Sequence, residues 1–175
     1  MGGLAIVVTG TWGTGKSAIL EHLGDEFDVV PEPARLALAD DPSLQGDWKR
    51  FTETLLLRAI VDRDAADGEV TLFDRGVPDC VAYAKWFGLE HPNFRDGGTE
   101  HRYHEEVLIC PPWKDIYVND HLRLATYQQA QRFHDVLAAT YVEMGYTLVA
   151  IPPMELDGRV DFVRTFIAER TEVAR

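Results

Sequence analysis

Positive charge is in short supply in this chain. Its 175 residues carry 17 Lys and Arg against 29 Asp and Glu, a formal charge of −12. A general nucleic-acid binder shows a basic stripe, and an anionic membrane surface attracts polybasic segments, so neither is expected as the main partner. Cysteine is scarce as well. Cys80 and Cys110 are the only two. Both fall in expected buried elements without metal-ligand spacing, and read as small buried hydrophobes of a reduced, cytoplasmic protein. No run of about 18 apolar residues occurs, so no transmembrane helix is expected. Met1-Gly2-Gly3 leads straight into an apolar run, without the basic flank or cleavage site of a signal peptide. His101 and His104 stand three apart, but no further ligand candidate lies at a standard spacing, which favours a solvated loop pair over a metal site.

Against these absences stands one strong signal. Gly10-Thr11-Trp12-Gly13-Thr14-Gly15-Lys16-Ser17 fits the phosphate-loop pattern G-x-x-x-x-G-K-[ST] at every fixed position. The flanks suit it. Leu4 to Val8 is an unbroken, β-branched apolar run, as in a strand buried on both faces of a parallel sheet. After the loop, Ile19, Leu20 and Leu23 have helical spacing, and Gly24 stands where a left-handed cap would end the helix. Such a loop turns successive N–H groups toward phosphate, aided by the helix N-terminus. Lys16 would reach the β- and γ-phosphates, and Ser17 would ligate Mg²⁺.

The rest of the chain alternates strands and helices. Phe27 to Val30 reads as a short strand, and Pro33 opens a helix directly after Glu32. Asp47 caps a long helix carrying Trp48, Phe51, Leu55 and Ala59, ended by Gly68. Val70 to Phe73 is a third strand with Asp74-Arg75-Gly76 at its tip, and Pro78 opens the next helix. Val107 to Cys110 is a fourth strand, stopped by Pro111-Pro112-Trp113. A helix over Leu122–Met144, a fifth strand over Tyr146–Ile151 and a last helix capped by Asp157 complete the pattern. Five strands alternating with helices, without repeats or a domain boundary, predict a single α/β domain over residues 1–175 with a parallel sheet covered on both faces. Residues 88–104 form a candidate substrate-covering loop and residues 114–132 a lid-like segment.

In an open α/β sheet, ligands bind outside the carboxyl ends of the strands, so the loop, Glu32 with Arg35, and Asp74 with Arg75 are expected at one site. Phosphoryl transfer needs phosphates held, charge neutralised and an acceptor hydroxyl oriented beside a carboxylate. Glu32 is the candidate for that carboxylate, as base or as hydrogen-bond orienter. Asp74 is placed to hold Mg²⁺, with a base or strand-capping role as the competing reading. Arg75 either clamps a phosphate or pairs with Glu32; Arg35 either meets the acceptor or pairs with an acid one turn away. Arg123 is favoured over Arg132 to close on the transferring phosphate. Trp12 either stacks on a ligand or packs against a neighbouring segment, and Trp113 reads as a rigid corner.

At Gly10–Ser17, Glu32…Arg35, Asp74-Arg75-Gly76…Asp79 and Pro111-Pro112-Trp113…Tyr117…Asp120…Arg123, the chain resembles the AAA-like branch of P-loop proteins. That branch includes the ribosylnicotinamide kinase domain of the bifunctional NAD-biosynthesis regulator, and the likeness runs over nearly the whole chain. The resemblance implies a three-layer P-loop fold with strand order 2-3-1-4-5, ATP and Mg²⁺, and a small hydroxyl-bearing acceptor. It also implies that Glu32 and Asp74 face acceptor and metal, and that Arg123 belongs to a lid. The adenylyltransferase domain of the regulator is missing from this sequence, so no regulatory role carries over.

The leading expectation is therefore an ATP- and Mg-dependent kinase acting on a hydroxyl of a small, nucleoside-like metabolite, with GTP open as the donor. No nucleic acid, membrane or protein partner is inferred. A nucleotide-dependent switch with slow hydrolysis is the alternative; Val118-Asn119-Asp120-His121 only echoes the guanine-reading motif N-K-x-D. Phosphorylation of an antibiotic or a nucleic-acid end is weaker, the latter opposed by the charge.

Overall fold

A computed structural model of the chain describes residues 3–89, 100–117 and 125–173. Its centre is β1 (Leu4–Gly10), whose Ile6, Val7 and Val8 have no exposed surface. At roughly 1.5–3 kcal/mol for each fully buried aliphatic side chain, this strand anchors the sheet. Four further strands run parallel to it: β2 (Asp28–Val30), β3 (Val70–Asp74), β4 (Glu106–Cys110) and β5 (Thr147–Ala150). Their order is β2-β3-β1-β4-β5, as the family resemblance implied. Val8 pairs in register with Asp74 and with Leu108, and Val30 with Phe73. That register brings Gly10, Asp74 and Cys110 to one edge of the sheet, with Glu32 two residues beyond β2.

Period-two alternation along the strands builds two cores. Ala5, Val7, Phe73 and Val107 face a cluster formed with α2 (Pro33–Asp40), α3 (Trp48–Ala65), α4 (Val77–Trp86) and α5 (Tyr127–Glu143). Ile6, Val8, Leu72 and Leu108 face the opposite way, onto α1 (Lys16–Leu23) and α6 (Leu156–Val173). The result is three layers. Among the described residues, no helix is long and apolar enough to cross a membrane.

Helix boundaries follow local hydrogen bonding, and four differ from expectation; α3 ends at Ala65, followed by an extended Ala66, before reaching Gly68. Gly24 is right-handed (φ −66°), because the Glu26 and Phe27 N–H groups both bond the Leu23 carbonyl and close the helix without a left-handed residue. The helix expected from Leu122 starts at Tyr127 among the described residues. There Thr126 is extended, its hydroxyl accepts from the Gln129 N–H, and the Gln129 side chain accepts from the Thr126 N–H. This reciprocal capping box sets the start. Asp157 sits inside the first turn of α6 rather than capping it, where its charge suits the helix dipole. Asp47 caps α3 as expected, accepting from the Arg50 N–H at 3.1 Å. Cys80 and Cys110 are free and buried. His101 bonds Asp64 at 2.7 Å whereas His104 bonds the backbone of Glu106, so the two rings serve separate contacts.

Candidate active site

The loop between β1 and α1 turns three times through glycines with positive φ: Gly10, Gly13 and Gly15. These angles curl the backbone into a cradle that other residues resist. Together with Glu32 and Arg75, residues 12–18 enclose a recess of about 110 Å³. Lys16 is buried at its base, and its ammonium donates to the Thr11 carbonyl at 3.3 Å. Burial first, then the neighbouring Arg75, lower the Lys16 pKa, with Asp74 and Glu32 opposing.

Glu32 precedes the first residue of α2 and ends the β2 connection, as its place before Pro33 predicted. Arg75 makes the ion pair that was one of its two sequence readings. Arg75 Nε donates to Glu32 Oε1 at 2.7 Å, while Nη1 donates to the Gly10 carbonyl at 2.9 Å and to Asp79 Oδ1 at 3.0 Å. Burial alone would raise the Glu32 pKa, but the charges of Arg75 and Lys16, with the Arg75 hydrogen bond, hold it down at about 2. Glu32 is therefore ionised. Arg75 is also the one non-glycine among the described residues with positive φ, at 78°. Such a conformation persists only where surrounding contacts over-determine it; here they are two carboxylates and a loop carbonyl.

Asp74, at the tip of β3, is buried, and its Oδ1 has no hydrogen-bond partner among the described groups. Burial raises its pKa, with Lys16 opposing and Glu32 reinforcing. A buried, unpartnered carboxylate oxygen beside a buried ammonium can ligate a cation or accept a hydrogen bond from water. Together with the Ser17 hydroxyl in the first turn of α1, it fits the oxygen ligands that Mg²⁺ prefers.

Other expected residues lie differently. Arg35 and Arg132 are exposed. Trp12 packs against a neighbouring helix: its ring stacks on Phe133 at 4.8 Å and meets Trp86 edge-on at 6.3 Å. Trp113 bonds Asp115 at 3.2 Å. Arg123 and most of the 88–104 loop lie outside the described residues, as does part of the 114–132 segment.

Two buried polar residues carry roles that sequence reasoning did not assign. Asp79 takes hydrogen bonds on Oδ1 from Thr9 Oγ1 (2.7 Å) and Arg75, and on Oδ2 from the Gly76 N–H (2.9 Å) and Tyr141 Oη (2.5 Å). Its four-residue spacing from Arg75 was a usable signal. Arg159, in the first turn of α6, donates to the Thr14 carbonyl from 145 residues away, and no local pattern announces that.

No curated protein matches the sequence. Among solved structures, the chain is similar to the NadR protein in complex with NR, at TM-score 0.73 and 22% identity over 97% of this chain and 52% of that one. It thus spans about half the length of that protein. It is also similar to deoxyadenosine kinase from M. mycoides with bound dATP (TM-score 0.61, 12% identity, 94% and 99% covered). Shikimate kinase from Acinetobacter baumannii in complex with shikimate follows at 0.60 and 11%, with 96% and 94% covered. At these identities the likeness is one of fold, the P-loop kinase fold. Residues 5–159 match the AAA domain family, and the chain belongs to it.

Proposed function

We propose that this protein is an ATP- and Mg-dependent kinase that phosphorylates a hydroxyl of a small metabolite, with a nucleoside-like acceptor such as ribosylnicotinamide favoured. The observation that carries this reading is the ionised Glu32 facing the Lys16-bearing loop across one small recess, fixed there by Arg75. The fold shared with kinases of deoxyadenosine and shikimate supports phosphoryl transfer in general. The NR-bound relative supports the nucleoside-like acceptor.

In this reading the loop N–H groups and Lys16 bind the triphosphate. Glu32 accepts a hydrogen bond from the acceptor hydroxyl and points its oxygen at the γ-phosphorus. The bond from phosphorus to the ADP bridging oxygen breaks as the bond to the acceptor oxygen forms, and the hydroxyl proton leaves through Glu32. A carboxylate held near pKa 2 is a weak base, so Glu32 works chiefly as an orienter. In a loose transition state that suffices, because deprotonation need not precede transfer. Ser17 and Asp74 would hold Mg²⁺, which when bound neutralises charge on the β- and γ-phosphates. Arg123 is assigned to the lid over the transferring group.

The test is a mass-spectrometric screen for products gaining one phosphoryl group from Mg-ATP, across pools of nucleosides and small alcohols, with Lys16→Ala as control. A product absent in the control supports the kinase and names its acceptor. Lys16-dependent nucleotide binding without any product refutes the kinase reading in favour of a nucleotide switch, and absence of nucleotide binding refutes both.

A further inference from the structure

We infer that Arg159, from the helix farthest along the chain, is a positioning residue that strengthens the phosphate loop's hold on the nucleotide from behind. The inference rests on the nucleotide-binding part of the proposed function and extends it to a residue outside the motif.

Arg159 is buried (4% exposed), and its Nη2 donates to the Thr14 carbonyl at 2.7 Å and to the Cys110 sulfur at 3.2 Å. Its Nε has no hydrogen-bond partner among the described residues. Among the described residues, no carboxylate reaches ion-pair distance of it, unlike buried Arg75 with its two. An uncompensated buried cation is unfavourable in the free protein, so a bound anion nearby relieves it. The nearest element of the site is the phosphate loop itself. A Cβ placed on Gly15 would lie 2.6 Å from Arg159 Nη1, so the guanidinium rests directly against the loop backbone.

The orientation of one peptide turns this contact into chemistry. No described peptide bond is cis. In a trans peptide the carbonyl and the N–H point in opposite directions. The Thr14 carbonyl faces Arg159 on the outer side of the loop, so the Gly15 N–H of the same peptide is turned to the inner side, where the recess lies. A charged donor on the carbonyl polarises that peptide and makes its N–H a stronger donor to phosphate oxygen. The same contact fixes the peptide before nucleotide arrives, reducing the ordering needed on binding. Charge and preorganisation thus act in one direction.

The test compares the wild-type protein with Arg159→Met and Arg159→Lys by calorimetric titration with Mg-ATP, alongside thermal unfolding without nucleotide. The expected result is a roughly 10-fold weaker Kd for Arg159→Met, with an unliganded melting temperature equal to or above that of wild type, because a lone buried charge has been removed. Arg159→Lys, which keeps the charge and a donor, should recover several-fold of the lost affinity. Unchanged ATP affinity in Arg159→Met overturns the inference while leaving the kinase reading intact. So does weaker binding accompanied by a melting temperature several degrees lower, with no recovery in Arg159→Lys, since that pattern marks general destabilisation. A wild-type protein that binds no Mg-ATP overturns the nucleotide reading and this inference together.

Discussion

Replacing Asp79 with Asn leaves the side chain's size unchanged and removes its charge, which isolates the network beneath the site. The carboxylate accepts from four donors, two on each oxygen. An amide supplies one carbonyl oxygen, so it can still serve Thr9 and Arg75. Its NH₂ then faces the Gly76 N–H, donor against donor, while the Tyr141 hydroxyl can rotate to accept. Orphaning the buried Gly76 N–H costs about 1–3 kcal/mol. Removing one partner of a buried ion pair costs about 3–5 kcal/mol when the other charge is left alone. Arg75 keeps Glu32 and the Gly10 carbonyl, so about half of that applies. The sum is a loss of about 4 kcal/mol. With an m-value near 2 kcal/mol/M in urea, the unfolding midpoint should fall by about 2 M. Tyr141→Phe, which deletes one hydrogen bond to a charged group, should cost about 2 kcal/mol alone and less in the Asp79→Asn background. An Asp79→Asn loss below about 1 kcal/mol, or a Tyr141→Phe cost equal in both backgrounds, would refute the network.

Two further outcomes follow from the same geometry. Glu32 is depressed from 4.5 to about 2 in the folded state, so its stabilisation is present above pH 4.5 and lost as pH falls through about 2. At 1.36 kcal/mol per pKa unit this amounts to about 3 kcal/mol, and urea unfolding between pH 2 and 6 should show a shallower acid decline for Glu32→Gln than for wild type; parallel profiles would contradict the pairing with Arg75. Gly15→Ala places a side chain at φ 79° and 2.6 Å from Arg159 Nη1. Left-handed strain of roughly 1–2 kcal/mol should lower the melting temperature by several degrees and displacement of Arg159 should weaken ATP binding, and a variant with wild-type melting and affinity would count against the close approach.

What the sequence disclosed was whatever is local. The phosphate loop is a contiguous motif, and Glu32 and Asp74 each follow an apolar strand, so parallel topology alone brings them to one edge. The pairing of Arg75 with Glu32 stood beside a phosphate clamp as an open alternative, because it depends on β2 and β3 being neighbours and on a left-handed backbone that no propensity predicts for arginine. Asp79 stood inside a recognised motif, yet its Tyr141 partner lies 62 residues away on another helix. Arg159 drew no reading at all, because its contact with the loop depends on α6 folding back against it. Trp12 was ambiguous for the same reason: only the placement of α5 puts Phe133 under its ring.

That stacked tryptophan makes the loop legible to light. Trp12 belongs to the segment that would meet the nucleotide, while its partly buried ring packs against Phe133 and Trp86 at the edge of the core. Trp48, by contrast, is half exposed against Phe87. A shift of the loop alters the surroundings of an indole already in place, and its emission changes without any dye or added label. If the proposed function holds, the protein carries an internal optical reporter in the loop that would hold the nucleotide.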